Sequence, residues 1–207
     1  TYLSIVKGLF LAPDGAGISN LFASGQLQWS PPSLYIPLIG ISGVIAFHYA
    51  KIHPTLLKIF YVCLAFAFVP ILNSSFLLFN ATYYARWFFM PSLILCGVSA
   101  QALDSKTVRA NNLKKASAIV LIATACFAVF SILPSENKDN EFQIGVVENQ
   151  LIYWMTLVIS ILGAYLFFRI IRSNAEAKKQ MESLITAAFF VSVLCGMGPV
   201  SYTHLTL

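Results

Sequence analysis

Apolar residues run along this chain in long blocks, separated by short polar stretches. Six blocks stand out, at residues 34–50, 56–72, 87–103, 116–133, 151–171 and 183–200. Each is apolar all round rather than alternating with period two, so helices are expected in place of barrel strands. A membrane crossing takes about 20 apolar residues, and the 151–171 block meets that length most cleanly. The 34–50 block is short, but Trp29, Tyr35 and Lys51 flank it, and amphipathic rings and a snorkelling ammonium extend the reach of a short span. The pattern predicts an all-α fold, a polytopic membrane helix bundle with about six spanning segments over residues 34–200. Residues 1–10 read as the tail of an upstream element. Residues 11–32 are rich in Pro, Gly, Asn and Ser, and read as a loop. Together residues 1–33 form an outer-face loop region after an upstream part that the chain lacks. Residues 201–207, Ser-Tyr-Thr-His-Leu-Thr-Leu, match neither the hydropathy nor the style of what precedes them and read as an artefactual tail, His204 included. The chain therefore reads as a piece of a longer membrane protein.

Composition agrees with this pattern. The 207 residues are 58 % apolar and only 10 % charged, against about 25 % charged in a soluble domain. Mean hydropathy is +0.76. The four cysteines, Cys63, Cys96, Cys126 and Cys195, all fall inside apolar blocks without C-x-x-C spacing. They read as small buried hydrophobes rather than as a disulfide or metal framework.

Charge placement adds direction. The net charge of +5 is carried by short connections beside apolar blocks, not by a groove interleaved with aromatics, which argues against a nucleic-acid partner. Lys51 and Lys58 follow the first block. Lys106, Arg109, Lys114 and Lys115 stand against Asp104 after the third. Arg169, Arg172, Lys178 and Lys179 stand against Glu176 and Glu182 after the fifth. The intervening connections hold Arg86 alone, or Glu136, Asp139, Glu141 and Glu148 against Lys138, and the first loop holds only Asp14. Cationic loops stay on the cytoplasmic side. The basic loops are therefore expected inside, and the Asp14 loop, the 73–86 loop and the acidic loop outside.

Candidate chemistry collects in residues 73–87, where Asn73, Asn80, Tyr83, Tyr84, Arg86 and Trp87 lie close together in sequence. Arg86 at the mouth of a span either snorkels to lipid phosphates beside a Trp87 anchor or forks onto a phosphate within a cavity. The nearby amides and phenols favour the second, because a sugar or phosphate site needs several donors beside aromatic faces. Asp14, between Pro13 and Gly15, is either a turn residue or a weak candidate for a catalytic carboxylate. His48 and His53 lack further ligands, and no metal site is expected. Asn73-Ser-Ser75 and Asn80-Ala-Thr82 fit the N-glycosylation pattern, which is short enough to arise by chance. Gly40, Gly43 and Gly97 are expected to let helices approach closely.

One resemblance follows from residues already quoted. Leu-Ala-Pro-Asp14, Asn20-Leu-Phe22, Gln28-Trp29-Ser30, Leu34-Tyr-Ile-Pro37 with Gly40, Pro70-Ile-Leu-Asn73-Ser-Ser-Phe76, Phe79-Asn80 and Tyr84-Ala-Arg86-Trp87 occur in an order that resembles the YfhO-like bacterial membrane proteins. The likeness covers residues 11–103. It implies a GT-C-type glycosyltransferase of the bacterial cytoplasmic membrane. Such an enzyme would take a sugar from a polyprenyl-phosphate carrier and give it to a cell-envelope glycopolymer or lipid on the outer face. The resemblance would set Arg86 and Asn73 on the carrier phosphate or sugar, with Tyr84 and Trp87 stacked against it. It places the catalytic loop upstream of Thr1, gives Asp14 no secure role, asks for no cofactor within this chain and leaves a divalent metal to the full-length protein. Two other functions compete: a transporter or flippase using the same cluster for head-group binding, and an assembly subunit without chemistry. Span centres free of Asp, Glu, Lys and Arg weigh against ion-coupled transport.

Overall fold

The computed structural model describes residues 2–12, 34–50, 54–75, 78, 86–136, 142–144, 147, 149–173 and 176–205. Its elements are α1 (Tyr2–Phe10), α2 (Leu38–Ala50), α3 (Pro54–Phe68), α4 (Pro70–Ser74), α5 (Phe89–Asp104), α6 (Lys106–Cys126), α7 (Gln150–Arg172) and α8 (Ala177–Leu205). Short 3-10 turns at Arg86–Phe88 and Phe127–Ser131 lead into α5 and out of α6. The strands β1 (Pro134–Glu136) and β2 (Phe142–Ile144) pair antiparallel, Ser135 opposite Gln143. Among the described residues the fold is thus all-helical apart from this pair of three-residue strands.

Each predicted block is helical, with the 56–72 block broken at Val69 into α3 and α4, and the other differences lie at the ends. The basic stretch 106–115 is not a loop but the opening turns of α6. It holds no Gly or Pro, and Ser105 alone, in extended backbone (φ −72°, ψ 116°), turns the chain from α5 into α6. Likewise α8 starts at Ala177, because residues 177–182 are mostly strong helix formers. It runs on to Leu205, so residues 201–205, set apart on style, continue its backbone. Residues 2–10, expected as an upstream tail at the edge of a loop region, form α1. Two helical stretches, Asn112–Ser131 and Gln150–Arg172, are long and apolar enough to cross a membrane. Leu38–Ala50, Thr55–Phe68 and Phe89–Asp104 are apolar but shorter.

The bundle is built on seams. Along α6 and the 3-10 turn after it, the buried positions include Leu113, Ala116, Ser117, Val120, Thr124, Phe127 and Ser131. Along α7 they are Tyr153, Leu157, Ser160, Gly163, Ala164, Phe167 and Ile171, and along α8 they include Gln180, Leu184, Ala187 and Val191. Spacings mainly of three and four keep each set on one stripe, the pattern of helices packed at small crossing angles. Helix α2 is buried along most of its length, from Leu38 to Phe47, as a helix apolar all round should be. It packs against α5, α6 and α7.

Two contacts fix the ends. Tyr153 donates its hydroxyl to the Phe127 carbonyl at 2.5 Å, joining the finish of α6 to the start of α7. Gln180 donates Nε2 to the Ile170 and Ile171 carbonyls at 2.7 and 3.0 Å, joining the finish of α7 to the start of α8. Phe10 of α1 meets Phe127 with ring centroids 5.8 Å apart. Ile5 shares a cluster with Leu34, Ala67, Trp87 and Phe88. Helix α1 therefore lies at the end of the bundle that holds Trp87, Phe127 and Tyr153. The finish of α7, with Arg169 and Arg172, is at the opposite end.

Apolar side chains fill the interior, where a few hydroxyls lie among them, and also cover much of the outside. Ser42, Ser99, Ser117, Thr124 and Ser160 are buried, while Phe89, Leu93, Ile122, Leu162, Ile185, Phe189 and Phe190 are each more than 60 % exposed. Hydroxyls of Ser42 and Thr124 return to helix carbonyls, Leu38 at 3.0 Å and Val120 at 2.8 Å, and so meet their hydrogen-bonding need within their own helix.

Candidate functional site

The site starts from a helix break. The apolar run of α3 ends at Phe68. Val69 is extended (φ −92°, ψ 112°), and Pro70 opens α4 as its first residue, where its missing N–H costs nothing. This restart places Asn73 in a new helix, its N–H on the Val69 carbonyl at 2.9 Å. The Asn73 side chain is fully buried. Ser74 and Ser75 donate their hydroxyls to Ile71 and Leu72 carbonyls at 3.0 and 2.6 Å, and so close the short helix. Such burial also removes Asn73 from the folded surface as a glycosylation acceptor. Leu78, 90 % exposed, follows with φ 50°, a left-handed conformation rare for a Leu.

Trp87 is buried, 5 % exposed, between Phe66 and Phe88 at centroid distances of 6.4 and 5.2 Å, both edge-on. It belongs to the core that seals α3 against α5. The interface-anchor alternative for Trp87 does not fit that burial, and a ligand could stack on its ring only after this cluster opened. Arg86 begins the 3-10 turn that leads into α5. Asp14, Asn80, Tyr83 and Tyr84 lie outside the described residues, as do His53 and the side chain of Arg86. The structure therefore brings Asn73 and Trp87 to one end of the bundle, without giving the geometry of the rest of the cluster.

Sequence reasoning passed over one charged residue at this end. Lys7 is 5 % exposed. It sits on α1 between Ile5, which joins the Trp87 cluster, and Leu11, which joins Phe127 and Tyr153. A buried ammonium must be compensated, and Lys7, Asn73 and Trp87 are all engaged within the fold. A signal was present: a single charge within nine otherwise mainly apolar residues. Ser160 was passed over too. It is fully buried, and its hydroxyl has no hydrogen-bond partner, whereas a helical serine commonly bonds a carbonyl one turn back.

The remaining candidates fall elsewhere. His48 meets Tyr61, whose hydroxyl lies 2.5 Å from Nδ1, near the far end of α2. Among the described residues no three His, Cys, Asp or Glu side chains gather where they could hold a metal. Cys63 is half-buried, but Cys96 and Cys126 are exposed on the bundle's outside rather than buried in it. Gly43 does bring helices close: a Cβ there would lie 2.7 Å from Ser99 Oγ and 3.1 Å from its Cα. Gly97 faces open space, and a Cβ on Gly40 would meet only Ile36 side-chain atoms, so neither is a close crossing.

No family model, no curated protein and no solved structure matches this chain. The functional reading therefore rests on the residues themselves.

Proposed function

We propose that the chain is a multi-pass bundle of the bacterial cytoplasmic membrane, with the Trp87 end facing out and the Arg172 end facing the cytoplasm. The observation that carries this is the apolar outer surface of the bundle. Only 33 % of each long apolar window, in Asn112–Ser131 and in Gln150–Arg172, is buried within the protein. The core helix of a soluble protein would be covered by its neighbours, whereas here the larger share of the apolar surface faces away from the bundle. A bilayer covers such a surface at no cost, and small hydroxylated residues are the usual filling between membrane helices. The shorter helices α2, α3 and α5 cross with the others as parts of one bundle, with α8 as the sixth crossing.

For chemistry, the reading is that of the YfhO-like resemblance. The outer end binds a polyprenyl-phosphate-linked sugar, which the full-length protein transfers to an envelope glycopolymer or lipid. Arg86 and Asn73 serve the carrier phosphate or sugar, and Tyr83, Tyr84 and Asn80 complete the groove. Lys7 is buried at the same end and engaged within the fold, so its part is to hold the groove in shape. Trp87 holds the groove's floor rather than stacking on the sugar.

The test uses the full-length protein in membranes with a polyprenyl-phosphate sugar as donor. Transfer to envelope material is compared for wild type, Arg86→Ala and Lys7→Gln at matched protein levels. Transfer should fall at least tenfold in Arg86→Ala, about 1.4 kcal/mol of barrier. Wild-type transfer that survives both substitutions unchanged sinks the groove. Movement of the donor across the membrane without sugar transfer, lost in Arg86→Ala, would make the protein a flippase.

A further inference from the structure

We infer that the junction of α7 and α8 is a binding surface for the headgroups of anionic phospholipids. The inference rests on the membrane reading above, but it concerns the opposite end of the bundle from the sugar site. Helix α7 finishes with Arg169 and Arg172, and α8 begins with Lys178 and Lys179 a few residues later. All four side chains are exposed, as are Lys114 and Lys115 in the opening turns of α6 at the same end. The acids described there are Asp104, Glu176 and Glu182, so the six cations outnumber them.

The junction is built so that its cations remain outward. A helix C-terminus carries unsatisfied carbonyls and partial negative charge, and basic side chains there commonly fold back onto them. At α7 other donors meet these carbonyls. Gln180 Nε2 reaches Ile170 and Ile171, Ser173 Oγ reaches Ile170 at 2.8 Å, and the Ser173 N–H reaches Arg169 and Ile170 at 3.0 and 3.2 Å. Gln180 is itself buried, so the corner between the two helices is fixed. The Arg172 guanidinium lies over the Phe168 ring, 5.1 Å from its centroid. Stacking of this kind fixes the plane of the guanidinium and leaves its N–H edges for a second partner. A phosphate diester suits that fork, since it accepts two parallel hydrogen bonds.

The surroundings indicate which phosphate. About two to three turns back along α7 from Arg172, Leu162, Tyr165 and Leu166 are exposed, and Ile185 is exposed on α8. An apolar wall beneath a cationic rim matches a lipid, with acyl chains against the wall and the headgroup at the rim. Nucleic acid or a soluble phosphate would leave that wall uncovered. The charge surplus selects lipids of net negative headgroup over zwitterionic ones.

The experiment reconstitutes the full chain into nanodiscs of phosphatidylcholine containing a minority of phosphatidylglycerol, extracts it in mild detergent and identifies retained lipid by native mass spectrometry. Wild type should retain phosphatidylglycerol in preference, with the preference shrinking as salt rises. Combined Arg169→Gln, Arg172→Gln, Lys178→Gln and Lys179→Gln substitutions should lower that preference by about tenfold or more. Arg172→Lys in an otherwise wild-type chain keeps the charge and should retain most of it. Equal retention of the two lipids by wild type, or a preference untouched by the four substitutions, overturns the inference. A chain that does not enter the discs instead refutes the membrane reading on which the inference stands.

Discussion

At the scale of single residues, two glycines that look alike in sequence do different work. Gly43 and Gly97 both sit in apolar helices beside serines. Only Gly43 faces another backbone: a Cβ there would come within 3.1 Å of Ser99 Cα and 3.2 Å of its carbonyl oxygen, atoms that cannot rotate away. Gly43→Ala should therefore push α2 from α5 and lower stability by about 1–3 kcal/mol, as overpacking does. Gly97→Ala meets nothing within 4 Å and should be neutral or stabilising by up to about 1 kcal/mol through helix propensity. Unfolding of both variants in the same lipid–detergent mixture decides this, and equal losses would mean that the α2–α5 crossing is not as close as described. Sequence could identify the glycines but not their facing residues, because close approach depends on which helix lies opposite. Trp87 shows the same limit. Its place after Arg86 suggested a ring at a membrane interface or on a ligand, but Phe66, from an earlier helix, closes over it.

At the scale of elements, the clearest structural device is the Tyr153 clamp. Helix α6 tightens into a 3-10 turn at Phe127–Ser131, where hydrogen-bond geometry is poorer than in an α-helix. Tyr153, fully buried, donates a further hydrogen bond to the Phe127 carbonyl. Tyr153→Phe keeps the ring and removes that donor, and should destabilise the α6–α7 pair by about 1 kcal/mol. Equilibrium unfolding of the variant checks it, and unchanged stability would show the hydroxyl to be dispensable. This bond was not legible in sequence, since it joins residues 26 positions apart. The helices were legible, because each apolar block is long and uniform. Their ends were read too short wherever charge was taken as a sign of loop. Lys114 and Lys115 illustrate why: they sit on the outside of α6, next to buried Leu113 and Ala116. A basic stretch without Gly or Pro can stay helical with its charges outward. Of the candidate site, Asn73 was legible through the Pro70 break just before it. Lys7 shows in sequence only as a lone charge in an apolar stretch, and its burial does not, because that comes from packing against elements far along the chain.

At the scale of the whole molecule, the orientation can be tested independently of any substrate. Helix directions follow from the two end contacts: α6 and α7 meet at Phe127 and Tyr153, and α7 and α8 meet at Ile171 and Gln180. Exposed cations gather at the second end, while Leu133 and Gln150, exposed and uncharged, flank the connection at the first. Holding basic segments on the cytoplasmic side is the strongest determinant of membrane orientation. A chain with its native cysteines replaced, carrying one of Leu133→Cys, Gln150→Cys, Lys115→Cys or Arg172→Cys, should therefore divide into two classes. The first two should react with a membrane-impermeant maleimide on intact cells, and the last two only after permeabilisation. The reverse pattern would invert the protein and move Asn73 and Arg86 to the cytoplasm, where an outer-face carrier could not reach them. Reaction of all four on intact cells would place both ends outside, which α6 and α7 cannot do if each crosses the bilayer once. This measurement therefore tests the crossings and the side of the proposed site together, before any donor is chosen.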